Sequence, residues 1–198
     1  MSDKKRIILG ISGASGAIYG VRALHLLHGL EVETHLVISR SAHTILSQEL
    51  GLRAEDLYAK ADKVYNPDDL SAPIASGSYH TDGMLVAPCS IKTLSGIANS
   101  YAENLLQRAA DVCLKEGHPL LLAVRETPLH AGHLRLMSLA SQAGAIIFPP
   151  IPAFYSKPQS LEQLVDQTVG RMLARLGILN DFYQAWGEDQ ANLDTRLI

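Results

Sequence analysis

Strands alternate with helices along this 198-residue chain, and that order predicts one α/β domain with a doubly wound parallel sheet and helices on both faces. Three observations carry the prediction. The apolar run Arg6–Ile11 ends in glycines, as a strand buried on both faces of a parallel sheet does. Directly after it, Ile18, Val21, Leu24 and Leu27 are spaced for one face of a helix. Near the other end, Leu161, Leu164, Val165, Thr168, Val169, Met172, Leu173 and Leu176 follow the i, i+3, i+4, i+7 rule closely.

The remaining elements follow in order. Ala17–Leu30 reads as a helix and the alternating, β-branched Val32–Ile38 as a strand, after which Ser39 or Ser41 can cap the next helix. Gly51–Lys60 continues helically, and Asn66–Gly77 reads as a loop or weak helix. Met84–Ala87 is a strand that Pro88 should stop. Thr93–Ser100 and Asn104–Lys115 are helices, and Leu120–Val124 is a strand. A helix from about Gly132 to Gln142, a strand at Ala145–Phe148 and the stretch PPIPAF come next. With no repeat and no linker-like composition, residues 1–186 read as a single domain and 187–198 as a C-terminal tail.

Composition narrows the class. At 47% hydrophobic with a net charge of −3, the chain can fill a core and is not disordered. That charge gives no general reason to expect nucleic acid or an anionic membrane as partner, so any anion site must be a local basic cluster. Cys89 and Cys113 form no CxxC, which favours a reducing cytoplasm. The basic N-terminus and apolar run imitate a signal peptide, but Gly10, Ser12 and Gly13 break the run too early for one, or for a membrane span.

In doubly wound folds ligands sit at the carboxyl ends of the strands. The first strand ends in Gly10-Ile-Ser-Gly13-Ala-Ser15-Gly16, spaced G-x-x-G-x-x-G and not as the dinucleotide fingerprint G-x-G-x-x-G. Such a turn lets backbone approach a phosphate, and an ordinary tight βα turn is the alternative. The next strand ends at Ser39, another at Pro88-Cys89-Ser90-Ile91-Lys92-Thr93, and another at Arg125-Glu126-Thr127-Pro128. Each hydroxyl taken singly is a helix cap; their recurrence at one sheet edge points to a mononucleotide. Lys115, Arg125 and Arg171 are expected to cluster near the later strand ends, where they could hold a second phosphate.

Glu49 falls inside the apolar stripe of Ala42, Ile45, Leu46 and Leu50. A carboxylate there is costly unless paired or used; the alternative is that it turns out to solvent. His130 and His133 lack neighbours at zinc-site spacing, so no metal site is expected. Cys89 reads as a small buried hydrophobe and not a nucleophile.

The segments GISGASGAIYG, SGS, PCSIKTLSGIA, RAADVCLKE, RETPLHAGHLRLM and PPIPAFY-x-x-PQS together resemble the flavin prenyltransferase family, the UbiX-type enzymes. The resemblance runs from about Lys5 to Trp186. It implies a Rossmann-like (flavodoxin-like) flavoprotein that joins a dimethylallyl group from dimethylallyl monophosphate to N5 and C6 of reduced FMN, without a metal. The product, prenylated FMN, serves UbiD-type decarboxylases, in ubiquinone biosynthesis or aromatic acid decarboxylation. The family forms homododecamers with sites shared between subunits, so a large homo-oligomer is expected. Carried over, the FMN contacts fall on Gly13, Ala14, Ser15, Ser39, Ser90, Ile91, Lys92, Thr93 and Arg125. The prenyl phosphate contacts fall on Lys115, Arg125, Glu126, Tyr155 and Arg171, and the proton-handling positions on Ser15, Glu49 and Glu126. Two other readings remain open. A flavin-dependent cysteine decarboxylase would need an early catalytic His and a Pro-x-Met-Asn segment, which is missing. A flavodoxin-like FMN carrier would need no second anion site.

Overall fold

The computed structural model describes residues 4–187. Its strands are β1 (Arg6–Ile11), β2 (Glu33–Ile38), β3 (Lys63–Tyr65), β4 (Gly83–Cys89), β5 (Leu120–Val124) and β6 (Ile146–Ile147). The helices are α1 (Ala17–Gly29), α2 (Arg40–Leu50), α3 (Glu55–Tyr58), α4 (Ile91–Ala98), α5 (Leu105–Glu116), α6 (Ala131–Gln142) and α7 (Leu161–Arg175). All strand pairs are parallel, in the order β3-β2-β1-β4-β5-β6. The order reverses between β1 and β4, and the crevice at that reversal is where doubly wound folds bind ligands.

Alternation along each strand divides the core into two layers. Ile7, Leu9 and Ile11 of β1 join Leu36, Ile38, Leu85 and Leu121 under α1, α2 and α7. Ile8, Val37, Val86 and Leu122 face the other way, under α4, α5 and α6. Helix α7 buries Val165, Val169, Met172 and Leu173 as its period predicts, although Leu161 at its start is exposed.

The structure departs most from the sequence reading in three places, beside smaller shifts of α4 to Ile91–Ala98 and of the last strand to Ile146–Ile147. Strand β4 does not stop before Pro88 but runs through it to Cys89. The register against β5 shifts between Val86 and Cys89, and a proline without an N–H is tolerated at such an irregularity. Between Gly51 and Lys60 the helix is only Glu55–Tyr58, because Gly51 takes the left-handed conformation that ends α2. Finally, Lys63–Tyr65 adds an edge strand that the sequence reading lacks. Apart from Gly187, the C-terminal tail lies outside the described residues.

Candidate active site

Ser12 joins the two loops that flank the reversal. It is buried; its hydroxyl donates to the Pro88 carbonyl at 2.8 Å and accepts from the Ser90 N–H at 2.8 Å. The β1 loop is also pressed against α2: a Cβ on Gly13 would fall 2.2 Å from Ser41 Oγ, so only glycine fits there. These contacts hold Gly13, Ala14 and Ser15 beside the start of α2, and Ser90 beside both.

Two helices begin at this edge behind serines. Ser90 caps α4 by accepting from the Thr93 N–H at 3.2 Å, and its hydroxyl also lies 3.1 Å from that of Thr93. Ser39 stands at the cap position of α2, but its side chain makes no cap bond; its hydroxyl sits 3.3 Å from Ser41 Oγ instead. The first amides of α2 therefore keep their capacity to bind an anion. Ser39, Ser41, Ser90, Lys92 and Thr93 line one cleft of about 400 Å³. Hydroxyls, helix N-termini and a lysine around one cleft suit a phosphate-bearing ligand, and the residues present fit the FMN phosphate. A larger hollow of about 730 Å³ lies between α7 and the segment 180–184, away from these groups.

Glu49 turns out from the apolar stripe, one of the two alternatives its position left open. Of α2 only Ala42 and Leu46 are buried, and Glu49 is exposed one turn beyond them. It is nonetheless fully engaged: its carboxylate accepts from the Gly16 N–H at 2.9 Å and the Ala17 N–H at 3.0 Å. Gly16 supplies no side-chain cap to α1, so the orphan amides draw in a carboxylate from α2. Burial would raise the Glu49 carboxyl, but the Ser15 hydroxyl, the two amides and the Arg125 charge together hold it below the usual range. Glu49 and Ser15 are thus adjacent.

Lys115 and Arg125 do not meet within one chain. Arg125 follows β5 directly, its N–H donating to the Cys89 carbonyl at 3.0 Å, and its charge acts on Tyr19 and Glu49. Lys115 ends α5 just before β5 and pairs with Glu116, so it lies at the amino edge of the sheet. Five strand residues at about 3.3 Å each put roughly 16 Å between the two ends. Arg171 is exposed in the second half of α7, whose end packs at that same amino edge, where Lys5 Nζ donates to the Gly177 carbonyl. Tyr155 lies by α7 too: its hydroxyl donates to the Gln184 carbonyl at 3.0 Å and accepts from Gln167 Nε2 at 3.2 Å. Helices and strands run in opposite senses, so residues flanking different elements emerge at different ends. Glu126 remains beside Arg125, its carboxylate accepting the Thr127 N–H at 3.0 Å.

Other candidates take quiet roles. His130 caps α6, accepting from the Gly132 N–H at 3.0 Å, and packs against His133 with the rings tilted by 34° and their centres 3.6 Å apart. Burial drives the Cys89 thiol far up and that of Cys113 up to about 12, the latter opposed by a bond to Thr81. Among the described residues no group of three or more His, Cys, Asp or Glu is placed to hold a metal ion. The sequence reading gives no site role to Ser12, to Ser41 or to the ion pair of Arg40 with Asp68, 2.6 Å apart. Ser12 and Ser41 were visible as hydroxyls beside the expected turns, but only the packing of the loops gives them partners.

The fold and the strand-end cleft define an α/β nucleotide-binding protein of the flavoprotein class, and the chain belongs to the Flavoprotein family, whose model matches residues 1–173. Within that class it belongs with the flavin prenyltransferases of UbiX type. It is 54% identical over 185 residues to Flavin prenyltransferase UbiX of Escherichia coli (strain K12), covering 92% of this chain and 98% of that protein. The crystal structure of AnUbiX (PadA1) in complex with FMN and dimethylallyl pyrophosphate superposes with a TM-score of 0.91 at 45% identity, covering 92% and 97% of the two chains. A dodecameric FMN-dependent UbiX-like decarboxylase from Escherichia coli O157:H7 gives 0.88 at 45% identity, covering 91% and 98%.

Proposed function

We propose that this protein transfers the dimethylallyl group of dimethylallyl monophosphate to N5 and C6 of reduced FMN and releases prenylated FMN to a UbiD-type decarboxylase. The observation that carries the reading is 54% identity to a UbiX enzyme over 185 residues, 92% of the chain. The flavin phosphate sits in the cleft of Ser39, Ser90 and Thr93, with Gly13, Ala14, Ser15, Ile91, Lys92 and Arg125 completing its contacts. The donor phosphate is held by Arg125 and Glu126 together with Lys115, Tyr155 and Arg171. Because Lys115 and Arg125 lie at opposite edges of the sheet, we assign Lys115, and with it Tyr155 and Arg171, to sites completed by neighbouring copies, in a homododecamer like that of the structural neighbour. Cations around the leaving phosphate stabilise the charge that develops on it, so metal is not needed. Glu49, with Ser15, receives the proton released on ring closure, and Glu126 serves the leaving phosphate. Two free, buried cysteines suit a reducing cytoplasm, and no described helix is long and apolar enough to cross a membrane.

The test is transfer of the product. Protein, reduced FMN and dimethylallyl monophosphate are incubated without oxygen, and the protein-free filtrate is added to an inactive apo UbiD-type decarboxylase. Decarboxylation should appear with the complete filtrate and be absent when either substrate is omitted. A complete filtrate that restores nothing, with the recipient activated by authentic prenylated FMN, contradicts the proposal.

A further inference from the structure

The cleft that suits the flavin phosphate carries two cations where helix electrostatics disfavour them. Arg40 is the first residue of α2 and Lys92 the second of α4, and neither helix has an acidic residue in its first turn. A positive charge at a helix N-terminus works against the macrodipole. Each cation is held from across the cleft. Arg40 donates to Asp68 Oδ2 from Nη2 at 2.6 Å and from Nε at 3.1 Å, and Lys92 Nζ lies 3.1 Å from Glu103 Oε2.

The two carboxylates stand on a braced rim. The Asp68 N–H donates to Asn66 Oδ1 at 3.0 Å, which fixes that turn. The Glu103 N–H donates at 2.9 Å to Oε1 of Gln107, a buried side chain. The Leu105 N–H donates to the Pro67 carbonyl at 2.7 Å and ties the two rim segments together. Both cations and both acids line the same cleft. All four side chains are about half exposed or more, so the pairs themselves stabilise the fold little and exchange readily.

We infer that Asp68 and Glu103 are built-in counter-anions: they occupy Arg40 and Lys92 when the cleft holds no phosphate, and limit how tightly it holds one. A phosphate among the hydroxyls must take the cations from the rim acids and then sit near those like charges, which weakens its binding. This rests on the reading that the flavin is both substrate and departing product. A resident cofactor has no need of such a limit, whereas a product that must reach another enzyme does.

Titration of the full-length protein by flavin fluorescence tests this, using FMN and riboflavin with wild type, Asp68→Asn and Glu103→Gln. Each variant should lower the FMN Kd about two- to fivefold, leave riboflavin unchanged and slow FMN dissociation. The two acids stand on different loops, so each variant tests the inference alone. An unmoved or raised FMN Kd, or an equal gain for riboflavin, overturns it. Wild type that fails to bind FMN overturns the functional reading as well; wild-type binding with unmoved variants overturns this inference only.

Discussion

The Glu49 carboxylate caps the helix that starts after Gly16, accepting its N–H at 2.9 Å from a different helix. One contact therefore fixes the phosphate-side loop of β1 and keeps a carboxylate ionised next to Ser15.

Two substitutions separate those tasks. Glu49→Ala should destabilise the fold by about 1 kcal/mol, the usual worth of a lost N-cap. Glu49→Gln keeps one carbonyl acceptor and should cost less, yet slow ring closure by roughly 10²-fold because it cannot take a proton. The effect belongs at the low end for a general base, since Glu49 is held below the usual carboxylate range and is a weak one. Thermal melts and anaerobic stopped-flow measure the two effects; ring closure at the wild-type rate in Glu49→Gln removes it from the mechanism.

Arg171→Ala and Lys115→Ala should each raise the KM for dimethylallyl monophosphate by about tenfold to a hundredfold, the worth of a charge-assisted bond to an anion. FMN affinity should not move. Because Lys115 and Arg125 lie at opposite edges of the sheet, co-expression of Lys115→Ala with Arg125→Ala subunits should restore activity above that of either alone. Failure to complement would mean the site is not shared.

Activity should survive EDTA, because lysine and arginine side chains carry the charge balance around the phosphate. Loss of turnover on chelation, restored by magnesium, would contradict that assignment.

Acid stability should depend on Glu33. The Arg6 guanidinium, bonded at 3.1 Å, overcomes the cost of burial and, with His35, lowers its carboxyl from 4.5 to about 2. A depressed carboxylate stabilises the fold above its unfolded value and loses that contribution as pH falls through the folded one. Wild type should therefore melt above Glu33→Gln at pH 7, and the gap should close as pH drops from 4.5 towards 2. A gap independent of pH would show the Arg6–Glu33 pair to be energetically idle.

Neither thiol should react in the native protein, since Cys89 and Cys113 are both fully buried and burial raises both. Thiol-reagent titration should find none before denaturation and two after. Rapid native labelling of Cys89 would reopen its claim as a nucleophile.

Much of the fold is legible in the sequence because the central strands are buried on both faces and α7 keeps strict period. Strand β3 is not legible: it has three residues, two of them exposed, and exists by pairing with β2. The strand-end hydroxyls could be found because a parallel sheet sends all such ends to one edge. That Lys115 emerges at the other edge is not legible, because linear order does not say at which edge a helical residue emerges. Glu49 stands out in the sequence by its odd position, but the helix end that binds it appears only once α1 and α2 are packed together.

The most direct measurement is the mass of the flavin itself. Protein, reduced FMN and dimethylallyl monophosphate are mixed without oxygen, and the flavin is released and analysed by mass spectrometry. The proposed function predicts a flavin heavier by one five-carbon prenyl unit, with one inorganic phosphate released for each. FMN recovered unchanged, from protein shown to bind it, would contradict the assignment of this chain as a prenyltransferase.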